Sequence, residues 1–395
     1  MRSTSRRISA AACAILLVAA LEPGGQAGQE SGADIAVRAS NWLDPASGEL
    51  RGAVAILVKD RKITRIVAGG QFDPKSARTV VQLGRATLLP GLVDAHVHLQ
   101  IGGQPADNAM AALRAGFTTV VDLGATSDAV LRLRDAIASG SMDGPRILAA
   151  GLWAGTQNGI CEFGGIGVSD GPEGFRRRVR DNVVAGADLI KVCVSGWVPA
   201  AVANQHAYEI ADDALAAVVE EAARAKRIVI AHAISLGAAK AAARAGVNGL
   251  AHMAFLDAAT AADLRKRDVF VVPTLTTLTR NPGPPSDALK AAVLTAQRAG
   301  VLIVFGTDGG VLPHGKNAAE FRALTAAGLS PTDAIRAATT NAARALGLQG
   351  AVGKLAEGRP ADIIAVDGNP LADIGALEKV LFVMRSGRVI VPRAQ

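Results

Sequence analysis

The sequence predicts an α/β protein: a (β/α)8 TIM barrel carrying a small composite β-sandwich made from the N- and C-terminal segments. Three observations predict it. Short apolar runs alternate with Ala-, Arg-, Glu- and Leu-rich stretches over about 250 residues, the usual size of such a barrel. Short β-type runs broken by Gly, Asp and Pro crowd both ends of the chain. Ionisable side chains recur at the ends of the central apolar runs, where barrels of this kind keep their chemistry.

In chain order, the first expected element is a leader over residues 1–27. "MRSTSRR" is a basic start, Ile8 to Leu21 is apolar but short for a membrane span, and "GGQAGQE" offers small residues for a cut after Ala27. The reading is an exported, periplasmic protein with no stable membrane insertion after cleavage; an uncleaved N-terminal anchor is the alternative. The Arg6-Arg7 pair raises a twin-arginine route, although the residues after it match that pattern poorly. Residues 28–90 then hold "ADIAVRA", "AVAILV", "KITRIVAGG", "RTVVQLG" and "ATLLP". Residues 347–395 resume the style with "ADIIAVDGNP", "KVLFVMRSG" and "RVIV". Each end is too short to be stable alone, so the two are expected to pair into one sheet unit.

The barrel is expected over residues 91–346. Its candidate strands are 92–98, 118–124, 146–151, 188–194, 228–233, 247–253, 269–274 and 302–308. Helices are expected at 105–115, 127–139, 173–185, 211–226, 235–245, 258–267 and 286–299, with a last pair at 316–327 and 331–346. Half of the 395 residues are hydrophobic and only 3% are aromatic, so the core must come from many small aliphatic contacts. The net charge is +7, but Arg2, Arg6 and Arg7 belong to the leader. Elsewhere Lys and Arg are scattered among acids with no basic stripe interleaved with aromatics, which argues against nucleic acid as a partner. Cys161 and Cys193 remain once Cys13 has left with the leader. Two cysteines make no disulfide framework in a chain this size, so two buried thiols are expected, with a disulfide near the site as the alternative.

The polar residues fall on this scaffold in a pattern. His96 and His98 close strand one, and alternate residues of a strand share a face. Lys191 lies in strand four, His232 ends strand five, His252 ends strand six and Asp308 ends strand eight. Any one of these has a plain structural explanation: a satisfied core histidine, a turn-starting aspartate, a lysine reaching for the barrel mouth. Jointly they place four of the chain's six histidines at strand ends that converge on one point. An unpaired ammonium inside "DLIKVCV" is costly and asks for a reason.

"PGLVDAHVHL", the strand-four lysine, "AHA", "LAHMAF", "FGTDGG" and the tail "GKLAEGRPADIIAVDGNPL" together resemble the metal-dependent amidohydrolase superfamily, in its imidazolonepropionase- and prolidase-like branch. The resemblance covers nearly the whole chain after the leader. It implies a binuclear site, with His96, His98 and Asp308 on one divalent ion and His232 and His252 on the other. Lys191 would bridge the two as an N6-carboxylysine. Imidazole and carboxylate ligands suit Zn²⁺, with Mn²⁺ or Fe²⁺ as alternatives. The implied reaction is cleavage of an amide C–N bond of a small molecule or dipeptide-like substrate by a metal-bridging hydroxide, with Asp308 as the proton carrier.

The substrate would be read by loops 152–170, 195–210, 274–286 and 309–317. Candidate contacts there are His314, His206, Tyr208 (the chain's only tyrosine), Arg280 for a carboxylate, and Gln157 with Asn158 and Glu162. Prolidase-like relatives carry a Gly-Gly-His-type stretch after strand three; here the loop reads "GLWAGTQNGICEFGG", which puts dipeptidase activity in doubt. Lactone, ester and carbamate hydrolysis remain alternatives on the same site. A mononuclear deaminase would not need Lys191 and would want a glutamate after strand five, where "HAIS" has none. A non-catalytic periplasmic binding protein would be expected to have lost ligands. "GVSDG" matches the Gly-x-Ser-x-Gly pattern of serine hydrolases, but no strand leads into Ser169. The partner class is a small molecule; a homo-oligomer is not excluded by the sequence.

Overall fold

The computed structural model describes residues 32–280 and 283–391. The expected leader lies outside the described residues. No helix among the described residues is long and apolar enough to cross a membrane.

Seven of the eight central strands form, in two parallel arcs. One arc places Leu92–Val97 beside Phe117–Asp122 and that beside Arg146–Ala149. The other runs Ile190–Cys193, Val229–Ala233, Gly249–His252, Phe270–Val272. A parallel bridge between Ala154 and Val192 links the arcs. Six of these seven strands are buried along their whole length, as expected where helices cover a parallel sheet, and Arg146–Ala149 alternates buried with half-buried residues.

The expected eighth strand differs, and with it the expected closed sheet. Segment 302–308 is not a regular strand; it touches its neighbours through bridges Val271–Ile303 and Val97–Gly309. The reason lies in the following helix, expected as one piece over 331–346. It is broken by a π-helical stretch, Ala337–Asn341, between Pro331–Arg336 and Ala342–Ala345. A π turn shifts the helix's own hydrogen-bond ladder and frees a carbonyl. Ala337 O accepts from Phe305 N at 3.0 Å, and Asn341 Nδ2 donates to Ile303 O at 3.0 Å. Segment 302–308 therefore divides its backbone bonds between sheet and helix, still donating Val304 N to Val271 O and accepting Ala95 N at Phe305 O.

The other helices fall close to expectation because their ends carry stop and start signals. Ser235 and Asp257 accept from Ala238 N and Thr260 N at the starts of Leu236–Ala245 and Ala258–Lys266. Gly246, at φ 87°, closes the first of these in the left-handed conformation. The short helices Val198–Ala203 and Leu275–Leu278 had no periodic signal in the sequence.

Segments before and after the central strands meet. Thr87–Pro90 pairs antiparallel with Ile363–Val366 in the register Ile363–Pro90 to Val366–Thr87, inside a six-stranded sheet. A separate four-stranded sheet holds Ala33–Ala39, Val54–Lys59, Lys62–Ala68 and Ala77–Gln82. One apolar cluster draws Val37 and Ile56 from the second sheet and Leu88, Ile363 and Phe382 from the first. Asn41–Asp44 and Glu49–Arg51 add two strands that the sequence did not suggest.

Candidate metal centre

His96 and His98 project from the end of Leu92–Val97, with ring centroids 5.2 Å apart. Asp308 reaches both, its Oδ1 lying 3.4 Å from His96 Nε2 and 3.3 Å from His98 Nε2. Ligand atoms of these three residues all lie within 4.8 Å of one another. From the second arc, Lys191 Nζ approaches His96 Nε2 to 3.4 Å. The His232 and His252 ring centroids are 4.3 Å apart, and His252 is 5.0 Å from His96. All six side chains are buried. Strands from both arcs thus deliver their terminal polar residues to one point.

The geometry is held from behind. Burial pushes the fully buried Asp94 carboxyl up to about 6, even though it accepts from Thr307 Oγ1 (2.6 Å), Asn317 Nδ2 (2.7 Å) and the backbone N–H of Thr307 and His96. It thereby ties the first strand to segment 302–308. Asp122 accepts from Leu99 N and Gly124 N, and Gly124 O accepts from His98 Nδ1 at 3.0 Å. That bond fixes the tautomer that turns His98 Nε2 towards Asp308. His252 Nδ1 bonds Thr274 Oγ1 at 2.8 Å, and Glu320 accepts from Leu275 N and Thr276 N just beyond. Three residues of this set sit in the left-handed region without being glycine: His252 at φ 79°, Thr274 at 50° and Asp308 at 60°. Such strain persists only where surrounding structure over-determines it, and it clusters at functional sites.

Electrostatics favour ligation. Burial pushes the imidazoles of His96, His232 and His252 down, His252 to about 3, so they are neutral with a free lone pair. His232 Nε2 is buried and meets no hydrogen-bond partner among the described residues, the state of a donor atom that faces a cation. Burial opposes ionisation of Asp308, but the adjoining His96 and the hydrogen bond from His98 outweigh it and hold the carboxyl well below its usual range. Burial also pulls the Lys191 ammonium down to about 7. Neutral imidazoles, a carboxylate and a lysine that is readily neutral form a donor set suited to divalent ions.

A cavity of about 170 Å³ opens onto this cluster and is lined in part by His98, Lys191, His232, His252 and Asp308. Of the loop candidates, none of Gln157, His206, Tyr208 and Arg280 lines it. Gln157, His206 and Tyr208 face solvent, Asn158 N donates to Glu162, and the Arg280 guanidinium donates to Val311 O. His314 is half-buried with Nε2 3.2 Å from Ile101 O, and it too lies outside the lining. In their place stand Trp153, Phe163 and Trp197, which the sequence did not single out. Cys161 and Cys193 are joined in a disulfide, so the expectation of two free thiols is corrected: the loop after the third strand folds back and brings their Cα atoms to 6.1 Å.

Residues 87–390 match the model described as the Amidohydrolase family. The chain belongs to that family. Ochratoxinase of Aspergillus niger is 28% identical over 421 residues, covering 90% of this chain and 87% of that protein. The crystal structure of a Xaa-Pro dipeptidase with bound methionine matches at a TM-score of 0.82 and 28% identity, over 90% of this chain and 99% of that one. The A. niger ochratoxinase structure matches at 0.78 and 26%, over 91% and 96%. This amidohydrolase is a metal-dependent hydrolase, with the α/β architecture of its structural neighbours.

Proposed function

We propose that the chain is a binuclear amidohydrolase that cleaves an amide C–N bond of a small molecule. The observation that carries the reading is the convergence of His96, His98, Lys191, His232 and His252 from two separate arcs, and of Asp308 from segment 302–308, onto one buried cluster at the floor of a cavity. In this reading the two arcs and segment 302–308 act as one barrel, and the paired chain ends form its accessory sandwich. The basic start followed by the apolar Ile8 to Leu21 supports export to the periplasm.

His96, His98 and Asp308 would hold one divalent ion, His232 and His252 the other, with Zn²⁺ the best match to imidazole and carboxylate donors. When bound, the pair supplies Lewis acidity and an acidified water. Lys191, pulled down to about 7, is substantially an unprotonated amine at neutral pH. Its nitrogen can add to the carbon of CO₂, losing one N–H proton to solvent, and the resulting carbamate would offer two oxygens sharing one negative charge as ligand atoms. A buried cation thereby becomes an anionic ligand, which removes its desolvation problem. Asp308, ionised and acceptor-only, takes a proton from the attacking water at a carboxylate oxygen and returns it to the leaving nitrogen. His98, fixed by Gly124 O, keeps Asp308 oriented for that transfer.

The test is metal analysis of the native chain and of Lys191→Ala, alongside release of amine from a panel of amides, esters, lactones and carbamates. About two metals per wild-type chain and amide cleavage are expected. Lys191→Ala should lose metal and at least 10³-fold in rate, on the order of a lost nucleophile-generating site, with partial recovery in short carboxylic acids. Full activity of Lys191→Ala would refute the bridging role.

A further inference from the structure

The cavity above the polar floor has an aromatic and aliphatic wall. Trp153 and Phe163 stack with ring centroids 4.4 Å apart and planes 30° apart. Trp153 lies 5.6 Å from His98, so the stack begins beside a proposed metal ligand. Ile101, Ile160 and Val311 continue the apolar surface. Trp197 borders the opening and is 54% exposed, a large aromatic left half in water. The Cys161–Cys193 disulfide clusters with Trp153 and pins the loop that carries Phe163 to the strand that carries Lys191. Trp153 rests so closely on Gly124 that an added Cβ there would lie 2.2 Å from its Nε1. The wall is therefore fixed in place by a disulfide on one side and by a bare backbone on the other.

The charges tell the same story by where they stand. Among the described residues that line the cavity, the ionisable side chains are His98, Lys191, His232, His252 and Asp308, and all belong to the floor. Arg280, whose guanidinium donates to Val311 O, is not part of the lining. The wall itself carries no charged side chain, so a zwitterionic dipeptide would have to bury at least one of its two charges against tryptophan, phenylalanine and isoleucine without a partner there, which is costly. A neutral ring would instead gain apolar contact and offset stacking. The size agrees, since an apolar cavity of about 150 Å³ accepts a benzene molecule, and this one measures about 170 Å³.

We propose that the substrate class is an uncharged amide bearing one flat aromatic ring next to the scissile bond, with the ring seated on Trp153, Phe163 and Trp197 and the carbonyl directed to the Lys191–Asp308 floor. This rests on the amide-hydrolase reading but is tested apart from it, by binding. Benzamide and the zwitterion Gly-Pro are titrated calorimetrically into the full metal-loaded chain, into Trp197→Ala and into Phe163→Ala, with circular dichroism and metal content as controls of folding. Trp197 is exposed enough that its removal should leave the fold intact. Benzamide should bind wild type at least tenfold tighter than Gly-Pro, and each variant should weaken benzamide by about three- to tenfold, the scale of one aromatic contact, leaving Gly-Pro unchanged. Equal or tighter binding of Gly-Pro, or benzamide affinity unaltered in both variants, overturns the assignment even if the chain cleaves amides. Selective benzamide binding upholds the slot even if no amide in the panel is cleaved, in which case the hydrolase reading alone fails.

Discussion

Within one cavity, the floor is held by backbone and buried carboxyls, while the wall is held by ring contacts and one disulfide. The floor residues sit in or just beyond the strands and segment 302–308, and three are tied from behind: Gly124 O accepts from His98, Thr274 bonds His252, and Asp94 joins the His96 backbone to Thr307. The wall residues come from loops, Trp153 and Phe163 after the third strand and Trp197 after the fourth. Trp153 and Phe163 stack on each other, and Trp197 stands half in water. Fixing a ligand within fractions of an ångström needs rigid elements and satisfied hydrogen bonds. Receiving a ring needs only a surface of the right width and polarity. The two regions should therefore fail differently when altered.

The largest separation is expected from Asp308→Asn. Asparagine keeps the shape and an oxygen donor but cannot take a proton at the working pH. We expect turnover to fall by about 10²–10⁴-fold, the usual worth of a positioned acid–base group. Metal content should stay near that of wild type, because His96 and His98 remain, and benzamide affinity should hold because the wall is untouched. Single-turnover rates with metal analysis on the same samples check this. An unchanged rate would take Asp308 out of the proton path and leave it as a ligand alone.

The contrast also explains what the sequence revealed. The six floor residues were legible because each is polar inside an apolar run and because the strand-helix rhythm says where the run ends. Asp94 was in plain sight within "LVDAHVH", yet its partners Thr307 and Asn317 lie 213 and 223 residues away, and no periodicity links them. Segment 302–308 read as a strand from its apolar pattern; the π turn that takes up Phe305 N leaves no mark in composition. The wall was not legible at all. Gln157, His206, Tyr208 and Arg280 drew notice as polar loop residues, but solvent is where polar loop residues normally point. The informative signal was the reverse: Trp153, Phe163 and Trp197 supply three aromatics within 45 residues of a chain that is only 3% aromatic.

Breaking the wall alone is the next test. Reducing the Cys161–Cys193 bond, or replacing both cysteines by alanine, releases a loop closed over a sequence separation of 32. Loop-closure entropy puts the loss of stability at about 3–4 kcal/mol. The melting temperature and benzamide affinity should both drop, while metal content stays constant because no floor residue loses its backing. Loss of metal on reduction would show that floor and wall are one cooperative unit, and the distinction would fall.

The smallest effect concerns the floor's outermost support. Glu320 is fully buried, and burial raises its carboxyl from the usual 4.5 to about 7 despite the bonds from Thr276 and Leu275. The folded chain therefore keeps this proton at pH values where the unfolded chain has released it. With more protons bound in the folded state, stability must decrease as pH rises between about 4.5 and about 7, and level off above. A shift of this size corresponds to about 3 kcal/mol at most. Glu320→Gln, neutral throughout, should lack that slope. It should also be less stable at low pH, since one amide oxygen replaces a carboxyl that meets two backbone N–H groups. Urea unfolding of the metal-free chain across this range, wild type against variant, measures the difference. Parallel pH profiles would mean that Glu320 is ionised in the fold, held by its hydrogen bonds rather than governed by its burial.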